Sequence, residues 1–282
     1  MTRTALLPAL FVTACTTETP PNEPRDFCCT DSGYFAPDTG SRTTSVAPIA
    51  VCSVDTNPVA PPSQTAHFNG SPSYSPIDLD IVGLEWTLIN APDGNAAPLA
   101  SRTGVTTTLT PQLSGEYHIE LTVIDELGVR SEEPCTLVLQ AIPLTNLQIE
   151  MFWSHANDDM DLHLVRPGGT ARTFDDCFSV TCIDGIDWGV TGDSSDDVRL
   201  LASDVTGVGP EIIQIETNEV GDFNVFVHDN PAAERTEPTD VTVNIVLDGE
   251  LSFSQTRRIT GEDSDTPYAT VNLATGLVTA AP

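Results

Sequence analysis

Short runs of alternating apolar and polar residues, broken by Pro, Gly, Asn and Asp, recur along most of this chain. Tyr117, Ile119, Leu121 and Val123 alternate with His118, Glu120 and Thr122, the period-two pattern of a strand with one buried face. Leu147, Ile149, Met151 and Trp153 repeat it. So do Phe223, Val225 and Val227, and then Val241, Val243, Ile245 and Leu247 ahead of Asp248-Gly249, a hairpin signal. No helical period of any length interrupts them. The spacing predicts an all-β protein of two consecutive antiparallel β-sandwiches, residues 46–143 and 146–282, because short strands with frequent turn signals build that architecture.

Before the strands begin, the pattern is different. Arg3 precedes an apolar run from Ala5 to Ala14, which ends at Cys15. That run falls short of the ~20 apolar residues a bilayer span needs; a charged start, a short apolar stretch and small residues mark a secretory signal instead. Val12-Thr13-Ala14-Cys15 resembles the bacterial lipobox. The resemblance implies a lipoprotein signal peptide over residues 1–14, acylation of Cys15, and a cell-envelope location, outer membrane or cell surface, with the membrane reached through that lipid alone. Residues 15–45, rich in Pro, Thr and Ser, read as a tether. As flexible coil, thirty residues reach roughly 30 Å.

Export changes the meaning of the cysteines. There are seven, and giving Cys15 to lipid leaves six that can pair in an oxidising compartment. Cys177 and Cys182 enclose four residues, a loop whose closure is worth about 2 kcal/mol in the chain-entropy picture. Cys28 and Cys29 are adjacent and their partners stay open.

Within residues 46–143, three segments carry a family resemblance: Phe68-Asn69-Gly70-Ser71, Gly83-Leu84-Glu85-Trp86, and Ser114-Gly115-Glu116-Tyr117 running through Leu121-Thr122-Val123 to Asp125 and Gly128. Together they resemble the polycystic-kidney-disease (PKD) domain, an immunoglobulin-like sandwich of extracellular proteins. The resemblance implies that Trp86 is the core tryptophan and that the Gly-x-Tyr segment is the penultimate strand. The family's acidic turn survives only as Asp78 and Asp80. First and last strands lie side by side in such a sandwich, which implies a Cys52–Cys135 disulfide.

Charge then redirects attention to the second half. The 282 residues hold 41 Asp and Glu against 11 basic residues, all Arg, for a net charge of −30. A field of that sign repels phosphate backbones and anionic lipid, so nucleic acid is an unsuitable partner and cations are the natural one. Residues 147–282 hold 25 of the acids and 6 Arg. Between Asn157 and Asp204 stand eleven Asp and no Glu. Asp-rich turns have an ordinary explanation in local backbone bonding, but adjacent pairs such as Asp158-Asp159 and Asp196-Asp197 repel unless neutralised. Calcium, which takes 6 to 8 oxygen ligands, suits such loops. The EF-hand pattern is absent, since Leu162 stands where its turn glycine belongs.

In Asp159-Met160-Asp161-Leu162-His163-Leu164, strand geometry puts Asp159, Asp161 and His163 on one face and Met160, Leu162 and Leu164 on the other. This predicts one core face and one polar face; on the polar face His163 is a candidate metal ligand or, the favoured reading, a histidine bonded to a neighbouring carboxylate. The stretch, with Trp153 before it and Pro167-Gly168-Gly169 after it, resembles the uncharacterised YfaP-type envelope domain. Asp204-Val205-Thr206-Gly207-Val208-Gly209-Pro210-Glu211 and Gly221-Asp222-Phe223-Asn224-Val225 fit the same family. The resemblance implies a secreted sandwich and no established activity. Cys177, Cys182 and Asp187-Trp188-Gly189 fall in an insert. If one metal ties these pieces together, Asp159, Asp161, Asp204 and the loop bearing Asp193, Asp196 and Asp197 are its candidate ligands.

Catalytic signatures are missing. His67, His118, His155, His163 and His228 sit in no metalloprotease helix motif, and Gly192-Asp193-Ser194-Ser195-Asp196 lacks the second glycine of a nucleophile elbow. The expected protein is therefore a non-catalytic surface binding or adhesion module for a glycan or protein. The alternatives are an architectural subunit of an envelope complex and an accessory module of a secreted hydrolase system.

Overall fold

The computed structural model describes residues 46–183, 185–231 and 237–282. The signal segment, the tether, Cys15, Cys28, Cys29 and Asp184 lie outside the described residues.

The fold is all-β, as the alternation requires, and the described residues form one compact unit with two separate hydrophobic cores. The first sandwich contains β1 (Ser53–Val54), β2 (Ala66–Asn69), β3 (Ile81–Asn90), β4 (Thr106–Leu109), β5 (Gly115–Asp125) and β6 (Cys135–Ala141). Strands β1-β2-β4 make one sheet and β3-β5-β6 the other. Tyr117, Ile119, Leu121 and Val123 on β5 are fully buried against Phe68, Trp86 and Leu109. Each such side chain contributes about 1.5–3 kcal/mol by leaving water. Buried polar atoms find partners: Trp86 Nε1 donates to the Gly104 carbonyl at 2.9 Å, and the Tyr117 hydroxyl donates to the Leu113 carbonyl at 2.8 Å.

Cys52 and Cys135 are bonded, with Cα atoms 5.8 Å apart. The expected neighbourhood needs correction, however. Cys52 precedes β1 in one sheet while Cys135 opens β6 in the other, so the bond crosses between sheets. The segment that lies beside β6 comes later, where Val59 bridges Ala141 in parallel. Closing a loop of sequence separation 83 removes roughly 4.5 kcal/mol of denatured-state entropy on the same chain-entropy model.

The second sandwich contains β7 (Leu147–Trp153), β8 (Met160–Val165), β9 (Asp176–Cys177), β10 (Arg199–Ala202), β11 (Glu211–Ile215), β12 (Asp222–Asp229), β13 (Thr239–Leu247), β14 (Glu250–Ile259), β15 (Ser264–Asn272) and β16 (Leu277–Ala280). Its sheets run β10-β11-β7-β13-β14 and β16-β15-β12-β8-β9. Leu147, Ile149, Met151 and Trp153 face Leu162, Leu164, Val225, Val227 and Tyr268 across the core. Cys177 and Cys182 form the short disulfide, Cα atoms 5.1 Å apart.

The two sandwiches meet along β7. Ser114 donates its backbone N–H and its hydroxyl to Glu150 Oε1 at 2.7 and 2.5 Å, and Gln148 Nε2 donates to the same oxygen at 2.7 Å. Gly94 lies on the Phe152 ring so closely that a Cβ there would stand 2.3 Å from it.

Candidate functional site

Strands β8 and β12 pair antiparallel with Asp161 opposite His228 and His163 opposite Phe226. The Asn230 N–H extends the ladder by donating to the Asp159 carbonyl at 3.0 Å. Period-two geometry then sets Asp159, Asp161 and His163 beside Asn230, His228 and Phe226 on one face. Asn230 Nδ2 donates to Asp159 Oδ2 at 2.9 Å and reaches Asp161 Oδ2 at 3.4 Å. Ser179 Oγ donates to Asp161 Oδ1 at 2.5 Å.

This polar face is not open to water. All six residues of β8 are buried, because the insert between β8 and β10 folds over them. Phe178 and Phe226 clasp the His163 ring, centroids 4.4 and 4.3 Å away and nearly parallel. His163 Nδ1 pairs with Asp176 Oδ2 at 2.8 Å, the carboxylate partnership expected of it. His163 Nε2 and Asp176 Oδ1 are buried without a hydrogen-bond partner.

Carboxyls crowd the end of this sandwich. Asp158, Asp161, Asp229 and Glu211 are all buried. Oδ1 of Asp159 and Oδ1 of Asp229 accept no hydrogen bond. Burial, followed by the charges of Asp161, Asp158 and Asp204, pushes Asp159 up to about 6. Burial, then Glu262 and Asp158, does the same to Asp229, again to about 6. Glu211, which receives the Leu162 N–H and the Ser203 hydroxyl at 2.7 Å each, is lifted by burial to about 8. Among the described residues no arginine pairs with these acids; the arginine ion pairs engage Glu85, Glu219, Asp265 and Asp240. Desolvated like charges with no cation are costly unless protonated or metal-bound.

The proposed metal ligands separate into two groups. Asp159, Asp161 and Asp204 share one end of the sandwich: the Asn157 N–H donates to the Thr206 carbonyl at 2.9 Å, and Asp204 lies within electrostatic reach of Asp159. Asp204 itself caps its own turn, accepting the N–H groups of Thr206, Gly207 and Gly209. Asp193, Asp196 and Asp197 are engaged inside their own loop, by Ser195, Val190 and Trp188 respectively. Among the described residues no three His, Cys, Asp or Glu side chains stand together in metal-holding geometry.

Sequence reasoning overlooked Asp229, Glu211 and Asn230 as site residues. Asp229 had a legible signal: it continues the parity of Phe223, Val225 and Val227, so it is a carboxylate at a core-facing position.

A cleft of about 560 Å³ lies between the two sandwiches beside their contact. Its floor is the outer face of β13 and β14, where Thr242 stands opposite Thr256 and Asn244 opposite Ser254. Its wall is Pro92-Asp93, Ser114-Gly115 and Gln140 to Ile142 of the first sandwich. Glu150, buried and raised above its ordinary carboxyl range by desolvation, lies where wall and floor meet.

No protein-family model matches the chain. No curated protein matches it at a significant level. Among solved structures it is similar to the solution structure of the PKD domain from KIAA 1837 protein, at 24% identity, covering 31% of this chain and 83% of that one with a TM-score of 0.25. At that score the fold assignment rests on the strands and sheets themselves.

Proposed function

We propose that this chain is a cell-envelope lipoprotein that acts as a non-catalytic surface binding or adhesion module, with its first sandwich PKD-like, its second YfaP-like, and calcium stiffening one end of the second. On this reading lipid on Cys15 holds the protein and residues 15–45 lift it from the surface. The first sandwich is then a spacer, and the second meets a surface glycan or protein.

The observation that carries the calcium part is the set of buried carboxylate oxygens on Asp159 and Asp229 that no donor and no arginine satisfies. Hard oxygen donors of this kind suit calcium. Asp159 fits that role through its unsatisfied Oδ1, and Asp161 stands beside it with its oxygens held by Ser179 and Asn230. Asp204, Asp193 and Asp197, whose carboxylates hold backbone N–H groups of their own loops, fit it less well, and Asp196 keeps one buried oxygen unsatisfied within its own loop. Those same caps favour the second reading, an architectural subunit whose aspartates only shape turns.

Calcium titration with thermal melting separates the two. A cation that binds only the folded state at a hundredfold excess over its Kd adds about 2.7 kcal/mol, several degrees in a domain of this size. The expected result is such a rise at millimolar calcium and its loss in Asp159→Asn/Asp161→Asn; no rise removes the metal. For the anchor, mass spectrometry of the mature amino terminus should find acylated Cys15, and an unmodified Cys15 defeats that part.

A further inference from the structure

The inter-sandwich cleft has a chemistry of its own. Its floor is a ladder of hydroxyl and amide groups two strands wide. The Thr242 and Thr256 hydroxyls are 2.8 Å apart, and Ser254 and Thr256 are exposed along β14. Asn244, from β13, stands opposite the buried Glu150 on β7. Hydroxyl and amide groups both donate and accept, which matches a ligand made of hydroxyls.

Charge narrows the ligand further. Among the described residues the cleft is lined by no arginine, while Asp93, Glu150 and Glu250 all border it. Anionic ligands, whether phosphate, sulfate or uronic acid, would enter against that field. A cationic peptide would find little to hold either. Glu150 Oε1 is already filled by Ser114 and Gln148, and burial favours its neutral form. Asp93 and Glu250 stand at the exposed rim, where solvent and salt screen an ion pair.

The cleft is also built in advance. The Ser114–Glu150–Gln148 latch and the seat of Gly94 on Phe152 hold wall and floor together. Its volume, 560 Å³, lies inside the roughly 300–1,000 Å³ range of small-ligand sites, which favour domain junctions.

We propose that the cleft between the sandwiches binds a neutral oligosaccharide, lying across the Thr242–Thr256 and Asn244–Ser254 rungs with rim carboxylates accepting from its hydroxyls. This rests on the binding-module reading and supplies its ligand class and its place. The test uses the full chain in calcium buffer on an array of neutral oligosaccharides, with sialylated, sulfated and uronic-acid glycans and an oligoarginine peptide as controls. Ser254→Trp fills the floor from an exposed position. Thr256→Ala removes one rung without adding bulk and serves if the tryptophan lowers the melting temperature.

The expected result is binding of at least one neutral glycan, weakened tenfold or more in Ser254→Trp and severalfold in Thr256→Ala at unchanged melting temperature. Glycan binding that both variants leave intact overturns the cleft while the binding-module reading stands. Capture of charged glycans or the peptide alone overturns the ligand class. No glycan bound at millimolar concentration, with the calcium shift present, overturns the proposal and leaves the metal reading in place.

Discussion

Glu211 bridges two structural needs. Its carboxyl receives the backbone N–H of Leu162 and the Ser203 hydroxyl in a fully buried position, so it closes an unpaired site on β8 from the opposite sheet. Burial raises it to about 8, and raises Asp159 and Asp229 to about 6. A carboxyl whose folded pKa exceeds its unfolded value binds more protons in the folded state between the two values, so stability falls as pH rises through that window. Without calcium, the melting temperature should therefore decline from pH 5 to pH 8. Glu211→Gln, which keeps the shape without the charge, should flatten the part between pH 6 and 8, as followed by circular dichroism. A decline of undiminished size in that variant would assign the proton uptake elsewhere. Asp204 and Asp197 show the opposite use of a carboxylate. Each is satisfied by N–H groups of its own loop, the ordinary turn role of Asp.

Strands with one covered face were legible because period-two alternation reports a single boundary between core and water. Strand β5 buries every apolar position of Tyr117 to Val123, and β12 and β13 alternate in the same way. Strand β8 follows the alternation on one face only. Its apolar parity faces the core as expected, yet Asp161 and His163 are buried too. What covers them is the insert, whose Phe178, Ser179 and Asp176 come from a stretch with two short-strand residues and no periodicity. A cover made of loop leaves no trace in the strand it covers. Disulfides divide the same way. The local pair Cys177–Cys182 follows from spacing, whereas Cys52–Cys135 followed from a family resemblance and joins opposite sheets rather than neighbouring strands.

At the scale of the molecule, the relation of the two sandwiches depends on a few close contacts along β7. Gly94 has φ +83° and lies on Phe152, whereas Gly128 has φ +77° with nothing within 4 Å of an added Cβ. The comparison isolates the contact. Gly94→Ala and Gly128→Ala share the left-handed backbone cost, but only the first forces the wall away from the floor. Gly94→Ala should cost about 1–3 kcal/mol more, the usual range for overpacking, in denaturant unfolding; equal costs would show that the contact does not hold the sandwiches together. Most of the net charge of −30 resides in the second half of the chain, and the structure shows why its distribution matters more than its sum. Some aspartates cap turns, some pair with arginine or histidine, and a few are buried with unsatisfied oxygens. From sequence alone followed the all-β class, the two sandwiches, the buried parity of their main strands and the acidic character of the second, because alternation and composition are properties of neighbours along the chain. Only the tertiary structure decided which carboxylates meet, which face the insert closes and where a cleft opens, because those depend on residues brought together from distant segments.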